Sequence, residues 1–155
     1  MIILGLDPGL ATTGYGLIKT TKKDIAVLDW GIIETEKKIS LEQRLETIHH
    51  DLTNLLMKYR PEIAVVESIF FAKNVKTALS VAHARGVVLL TLKLQKVKIL
   101  ELTPLQVKSR IAGYGSASKQ QVQYMVKKLL KLNSLPKPDD AADALALAFC
   151  GSNKH

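Results

Sequence analysis

The order of short apolar runs and amphipathic stretches restricts the fold of this chain more than any other feature. Three runs with strand character come first, at residues 2–6, 15–19 and 25–34, with only turn residues between them. Such short connections predict an antiparallel meander. Two further apolar runs, at residues 63–66 and 97–102, alternate with helical segments. This order predicts an α/β fold, a mixed five-stranded sheet covered by helices on both faces.

Three copies of one capping pattern mark predicted helix starts. Ser40, Thr103 and Ser118 are each followed three residues later by glutamine, whose side chain can bond the backbone of the cap in return. The first of these helices should end near residue 59, before Pro61, and the third near residue 132. A longer helix capped by Asn74 should reach about residue 93.

The last predicted helix runs from about residue 140 to residue 150, with Gly151 as its stop. Asp140 and Asp143 lie three residues apart near its start, so they share one face. The other residues of that face are alanines, which would let the helix lie close to the sheet. We favour Asp139 as the cap, which leaves Asp140 for chemistry.

Two more carboxylates follow predicted strands directly. Asp7 ends the first strand and Glu67 ends the fourth, and ligands of open α/β sheets collect beyond the carboxyl ends of strands. With Asp140 and Asp143 these residues would form a cluster that repels itself unless a cation neutralises it. Oxygen ligands of this kind suit Mg²⁺ or Mn²⁺, and two such ions can drive phosphodiester hydrolysis.

Each carboxylate also has a purely structural interpretation. Asp7 in Asp-Pro-Gly could form only a turn, and either Asp139 or Asp140 could serve only as a helix cap. Glu67 resists this interpretation, because a carboxylate directly after Ala-Val-Val should be partly buried and would need a partner.

The charge distribution indicates the class of partner. The chain has a net charge of +8, and residues 68–138 contain 13 lysines and arginines against a single acid, Glu101. A segment this basic indicates a polyanion such as nucleic acid, although a solvated lysine-rich surface is the alternative. Phenylalanines beside lysines could stack on an unpaired base, and lysines that flank Gly113-Tyr-Gly115 could meet a backbone phosphate. The predicted DNA contacts are Phe70, Phe71, Lys73, Lys76, Lys108 and Lys119.

Composition also argues against several kinds of protein and site. One cysteine in 155 residues excludes a disulfide framework and a cysteine-based zinc site. No continuous apolar run approaches the roughly 20 residues that span a bilayer, and the first residues lack the basic start of a signal peptide. We therefore expect one cytoplasmic domain over residues 1–155.

The motifs together resemble the RuvC family of bacterial Holliday-junction resolvases. The matching segments, in family order, are Asp7-Pro-Gly9, Gly14-Tyr-Gly16, Glu67 with Phe70-Phe-Ala-Lys-Asn74, Ala84-Arg-Gly86, Leu102-Thr-Pro-Leu-Gln-Val-Lys108, Gly113-x-Gly115, Lys119-Gln-Gln-Val122 and Asp140-Ala-Ala-Asp-Ala-Leu-Ala146. They span nearly the whole chain.

This resemblance implies an RNase H-like three-layer fold and Mg²⁺-dependent, symmetric nicking of four-way DNA junctions. It also implies a homodimer formed through the helix around residues 78–90, and RuvA and RuvB, the branch-migration proteins, as partners. The implied metal ligands are Asp7, Glu67, Asp140 and Asp143. Phe70 falls on the aromatic that stacks at the junction, and Lys108 and Lys119 fall on lysines important for catalysis. Three residues depart from the family pattern: Ser68 stands where Gln is commoner, and Ser116 and Ser118 stand where Arg and Asp are usual. The missing Arg at position 116 removes one possible phosphate contact.

Three other functions compete with this interpretation. A short RNase H-like family thought to process ribosomal RNA precursors also begins with a strand and Asp-x-Gly, but it lacks the Phe70 segment and the Asp140/Asp143 pair. An actin-like or sugar-kinase ATPase would use Gly5-x-Asp7-x-Gly9 and Thr12-Thr13-Gly14 on phosphate, but needs two such domains. A non-catalytic junction-binding module would bind DNA without cutting it.

Overall fold

The computed structural model describes residues 1–68 and 75–152, apart from the side chains of residues 75 and 76. Three consecutive strands, β1 (Ile2–Asp7), β2 (Thr12–Thr20) and β3 (Ile25–Glu34), form the predicted antiparallel meander. The next two, β4 (Ile63–Glu67) and β5 (Lys98–Leu102), run parallel to β1. The sheet order is β3-β2-β1-β4-β5, which confirms the mixed five-stranded sheet.

Helices cover both faces of this sheet and complete a three-layer α/β fold. The helices are α1 (Leu41–Tyr59), α2 (Val75–Leu94), α3 (Pro104–Ala112), α4 (Lys119–Leu129) and α5 (Asp139–Cys150). One hydrophobic core lies between the sheet and α1 with α2, and a second lies between the sheet and α3, α4 and α5. The burial of apolar side chains in two layers is the main stabilising contribution.

The three predicted caps are present. The side chains of Ser40, Thr103 and Ser118 each accept a hydrogen bond from the backbone of the glutamine three residues on, whose side chain bonds the cap in return. Two predicted boundaries differ by more than one residue. β2 begins at Thr12 because pairing with β3 continues as far as Glu34. α4 ends at Leu129, before the predicted residue 132.

The prediction that Asp139 caps α5 is wrong. Pro138 occupies the cap position in an extended conformation and makes no side-chain cap bond, so Asp139 is the first helical residue. A proline there ends the preceding loop in the backbone conformation that a cap requires, without a side-chain acceptor. The predicted Asn74 cap of α2 lies outside the described residues.

One helix is apolar on most sides. By length and composition alone, Thr77–Leu94 of α2 could cross a membrane, and only 22% of that segment is buried. His83, Arg85 and Lys93 interrupt this segment, so it is not a continuous apolar run, but its mean hydropathy of 1.3 over 18 residues meets the criterion of length and composition. α2 packs against α1 and β5, so it belongs to the layer that covers the sheet.

Glycines on the sheet allow α5 to lie unusually close to it. A Cβ atom at Gly5 would lie 1.8 Å from the backbone oxygen of Ala144, and one at Gly14 would lie 2.1 Å from the backbone oxygen of Asp140. No side chain fits between helix and strand at either point. The alanine-rich face of α5 was predicted. That these glycines make the matching surface on the sheet is seen only in the structure.

Candidate active site

Strand register brings two of the predicted carboxylates together. β1 and β4 are parallel neighbours, with Leu6 paired to Val66, so Asp7 and Glu67 come next side by side at the ends of their strands. When Glu67 is protonated, its carboxyl donates a hydrogen bond to the Asp7 carboxylate, which raises the pKa of Glu67 and lowers that of Asp7. This juxtaposition follows from the fold, because parallel strands end at the same edge of a sheet.

The first turns of α5 bring the other two carboxylates to the same edge. Asp7, Asp140 and Asp143 each offer a carboxylate oxygen, and these oxygens lie within 4.8 Å of one another. The close approach of α5 at Gly14, whose β2 position pairs with Asp7, makes this spacing possible. Glu67 is not one of these three, but it interacts with Asp7 and lines the same cleft as Asp143, so it lies at the edge of the cluster.

The electrostatics of the cluster favour a bound cation. Burial, followed by repulsion from Asp143 and Asp140, raises the pKa of Asp7 to about 6. Burial and the charges of Asp7 and Asp143 raise the pKa of Glu67 to about 7. Removing water from neighbouring carboxylates disfavours their charged forms, so the site binds a proton unless a metal ion supplies the positive charge.

The ammonium group of Lys119 supplies positive charge next to the acidic cluster. Its Nζ lies 3.1 Å from Oδ2 of Asp143 and 3.4 Å from Oδ2 of Asp139. Burial also raises the pKa of Asp143, while the Lys119 hydrogen bond opposes that rise. Burial disfavours the ammonium, yet the two carboxylates hold the pKa of Lys119 above its ordinary value. Asp139 thus acts on the lysine of the site instead of capping the helix.

A cleft of about 210 Å³ opens beside the carboxylates. Glu67, Asp143, Lys108 and Lys119 contribute its charged lining. The remaining lining comes from α3, α4 and α5, through Pro104, Val107, Val122 and Ala146. The structure therefore places both predicted lysines in the same cleft as Glu67 and Asp143.

The other predicted DNA contacts cannot be placed in this way. Phe70, Phe71 and Lys73 lie outside the described residues, and Lys76 lies in the first turn of α2 with its side chain outside the description. Their roles stay predictions.

Two residues at the site were missed by the sequence analysis. Thr12 donates a hydrogen bond from Oγ1 to Oδ2 of Asp140, at 2.7 Å. Arg85 of α2 donates from Nε to the backbone oxygen of Glu67, at 3.2 Å, and forms an ion pair with Glu101 of β5. The period of two in Thr12-x-Gly14-x-Gly16 was a usable signal, because it places Thr12 on the sheet face that contacts α5. No local pattern points to the Arg85 contact.

Comparisons with known proteins agree with this geometry. Residues 3–151 match the model of the family described as crossover junction endodeoxyribonuclease RuvC. A protein of that description from Halothermothrix orenii is 53% identical over 155 residues, which is 100% of this chain and 94% of the relative. Another from Ruminiclostridium cellulolyticum is 48% identical over 155 residues, covering 100% and 93%.

Solved structures give the same result. RuvC of Thermus thermophilus in complex with a Holliday junction substrate superposes with a TM-score of 0.91 at 32% identity, over 97% of this chain and 92% of that one. A yeast mitochondrial Holliday junction resolvase shares the fold, with a TM-score of 0.71 at 18% identity over 96% and 76% of the two chains. The fold is therefore RNase H-like, and the chain belongs to the RuvC family of crossover junction endodeoxyribonucleases.

Proposed function

We propose that this protein is a metal-dependent endonuclease that resolves four-way DNA junctions by symmetric paired nicks, in recombination and repair. The observation that carries the proposal is the convergence of Asp7, Glu67, Asp140 and Asp143 beside Lys108 and Lys119. We propose that residues 1–155 act as one nuclease domain in the cytoplasm, where the DNA substrate is found.

The donor set suits Mg²⁺, with Mn²⁺ as a substitute. All four side chains offer hard carboxylate oxygens. Burial, and then repulsion between neighbouring carboxylates, raises the pKa values of Asp7 and Glu67, and a divalent cation would stabilise their charged forms. Two bound cations would supply Lewis acidity for hydrolysis of the phosphodiester bond. Asp7, Glu67 and Asp143 would hold the cations, and Asp140 would complete the site or help to position the attacking water.

The two lysines have a separate task. Lys119 is held at the rim of the cluster by Asp143 and Asp139, and Lys108 lines the same cleft from α3. Ammonium groups in this position would bind the non-bridging oxygens of the scissile phosphate or its neighbours. We propose that Phe70, Phe71, Lys73 and Lys76 extend this DNA surface, with Phe70 stacking on a base at the crossover.

Symmetric paired nicks require two active sites, so we propose a homodimer. α2 carries leucines that this chain leaves uncovered, since Leu79 is 57%, Leu90 58% and Leu94 61% exposed. An apolar helix face with such exposure fits a second copy of itself across a two-fold axis. RuvA and RuvB are the further proteins that we propose as partners, on the basis of family membership.

A denaturing-gel assay tests this function. The substrates are a mobile synthetic four-way junction and a linear duplex of the same sequence, each with and without Mg²⁺. We expect paired nicks at symmetric positions in the junction only, and only with metal. Binding without nicking in both Mg²⁺ and Mn²⁺ would identify a junction-binding module. Equal cutting of both DNAs would contradict junction selectivity.

A further inference from the structure

Asp140 differs from the other carboxylates of the cluster in the kind of partner that holds it. Asp7 shares a hydrogen bond with Glu67, and Asp143 pairs with the Lys119 ammonium. Within residues 1–68 and 75–152, the hydroxyl of Thr12 is the one side chain that hydrogen-bonds Asp140, at 2.7 Å. A neutral donor orients a carboxylate without cancelling its charge.

The backbone explains why so short a side chain can span from strand to helix. Thr12 begins β2, and alternation along the strand places it on the same face as Gly14, against which Asp140 lies. Because Gly14 has no side chain, α5 approaches near enough for the Thr12 hydroxyl to reach it. Threonine is branched at Cβ and therefore restricted in its side-chain torsion, so its oxygen is held in place.

We propose that Thr12 is a positioning residue that fixes the Asp140 carboxylate in the orientation in which it binds a divalent cation. This role rests on the metal site of the proposed function. The hydrogen bond uses one lone pair of Oδ2, so Oδ1 and the second lone pair of Oδ2 are left for the cation. A cation that binds both carboxylate oxygens of Asp143 must displace the Lys119 ammonium. A cation can bind Asp140, in contrast, while the Thr12 hydrogen bond stays in place. Thr12 therefore reduces the reorganisation that metal binding needs.

The test compares three substitutions on one strand. Thr12→Val keeps the shape and removes the hydroxyl, and Thr12→Ser keeps the hydroxyl and removes the methyl group. Thr20→Val is the matched control, because Thr20 ends the same strand far along it from Asp140. Each protein is titrated with Mn²⁺ in the absence of DNA, and free Mn²⁺ is followed by electron paramagnetic resonance. Asp7→Asn shows which part of the binding belongs to the cluster.

Loss of an outer-sphere partner of a metal ligand typically weakens metal binding by about 10–100-fold. We expect that loss for Thr12→Val, affinity within about threefold of the parent for Thr12→Ser, and no change for Thr20→Val. The free energy of unfolding in chelator should be nearly the same for the parent and the three threonine variants. Should Thr12→Val fail to fold, Thr12→Ala replaces it in the comparison with Thr12→Ser.

Unchanged Mn²⁺ affinity in Thr12→Val, or equal losses in the valine and serine variants, would overturn the role, as would a parent that binds no Mn²⁺. These results are distinct from failure of the proposed function, which is the absence of junction nicking by the parent. The Mn²⁺ titration uses no DNA, so it decides the role of Thr12 in either case.

Discussion

In the absence of metal, the acidic cluster should make the protein less stable as pH rises. The pKa values of Asp7 and Glu67 are raised in the folded state, to about 6 and about 7, so the folded chain binds protons that the unfolded chain has released. Stability therefore falls between about pH 4, where the unfolded carboxyls titrate, and about pH 7, where the folded ones do. For Asp7, a rise from 3.8 to about 6 corresponds to about 3 kcal/mol, at roughly 1.4 kcal/mol per pKa unit.

Urea unfolding at a fixed protein concentration measures this effect. In chelator, the parent should lose about 1.4 kcal/mol more than Asp7→Asn does between pH 5 and pH 8, because only the step from pH 5 to the folded pKa of about 6 lies in this range and asparagine carries no titrating proton. Mg²⁺ at about 100 times its dissociation constant should restore about 2.7 kcal/mol to the parent at pH 8. At pH 5 it should restore little, because protonated carboxyls bind metal poorly. Equal pH dependence in parent and variant, or a parent that gains stability from pH 5 to pH 8, would refute this reasoning.

Two further predictions concern packing. Gly14→Ala places a Cβ atom 2.1 Å from the Asp140 backbone oxygen, so α5 must move. We expect the free energy of unfolding, measured with urea in chelator, to fall by about 1–3 kcal/mol, and junction cleavage to be slower. Unchanged stability would contradict the close approach of helix and strand. The double substitution Leu79→Glu and Leu94→Glu should convert a dimer to a monomer in sedimentation velocity, because it puts charge on the uncovered face of α2. Leu28→Glu on β3, also at an exposed leucine, is the control and should stay dimeric; a monomer there would place the interface elsewhere.

Local sequence patterns predicted the strands and the acidic residues at their ends, because each strand is marked by a short apolar run. The apolar runs place Asp7 and Glu67 at strand ends, and parallel pairing then brings them together without further information. The cap residues Ser40 and Thr103 were equally predictable, since each bonds a residue only three positions away.

The errors came from contacts between distant parts of the chain. Asp139 has the composition of a cap, but its carboxylate faces Lys119, twenty positions earlier. The hydrogen bond from Thr12 to Asp140 joins residues 128 positions apart. Alternation along β2 indicates the face on which Thr12 lies, but its partner on α5 depends on tertiary packing. Arg85 likewise reaches the Glu67 backbone through the packing of α2 on β5, a tertiary arrangement that periodicity does not specify.

The central claim is that the four-carboxylate site cuts junction DNA, and single-turnover cleavage by Asp7→Asn tests it most directly. Cleavage of a labelled four-way junction in Mg²⁺ should fall at least about 100-fold, because loss of a carboxylate that would hold the metal in the proposed site removes several kcal/mol of transition-state stabilisation. A gel shift on the same samples should show junction binding unchanged or tighter, since a negative charge that faces phosphate has gone. Cleavage by Asp7→Asn at the rate of the parent would contradict the account.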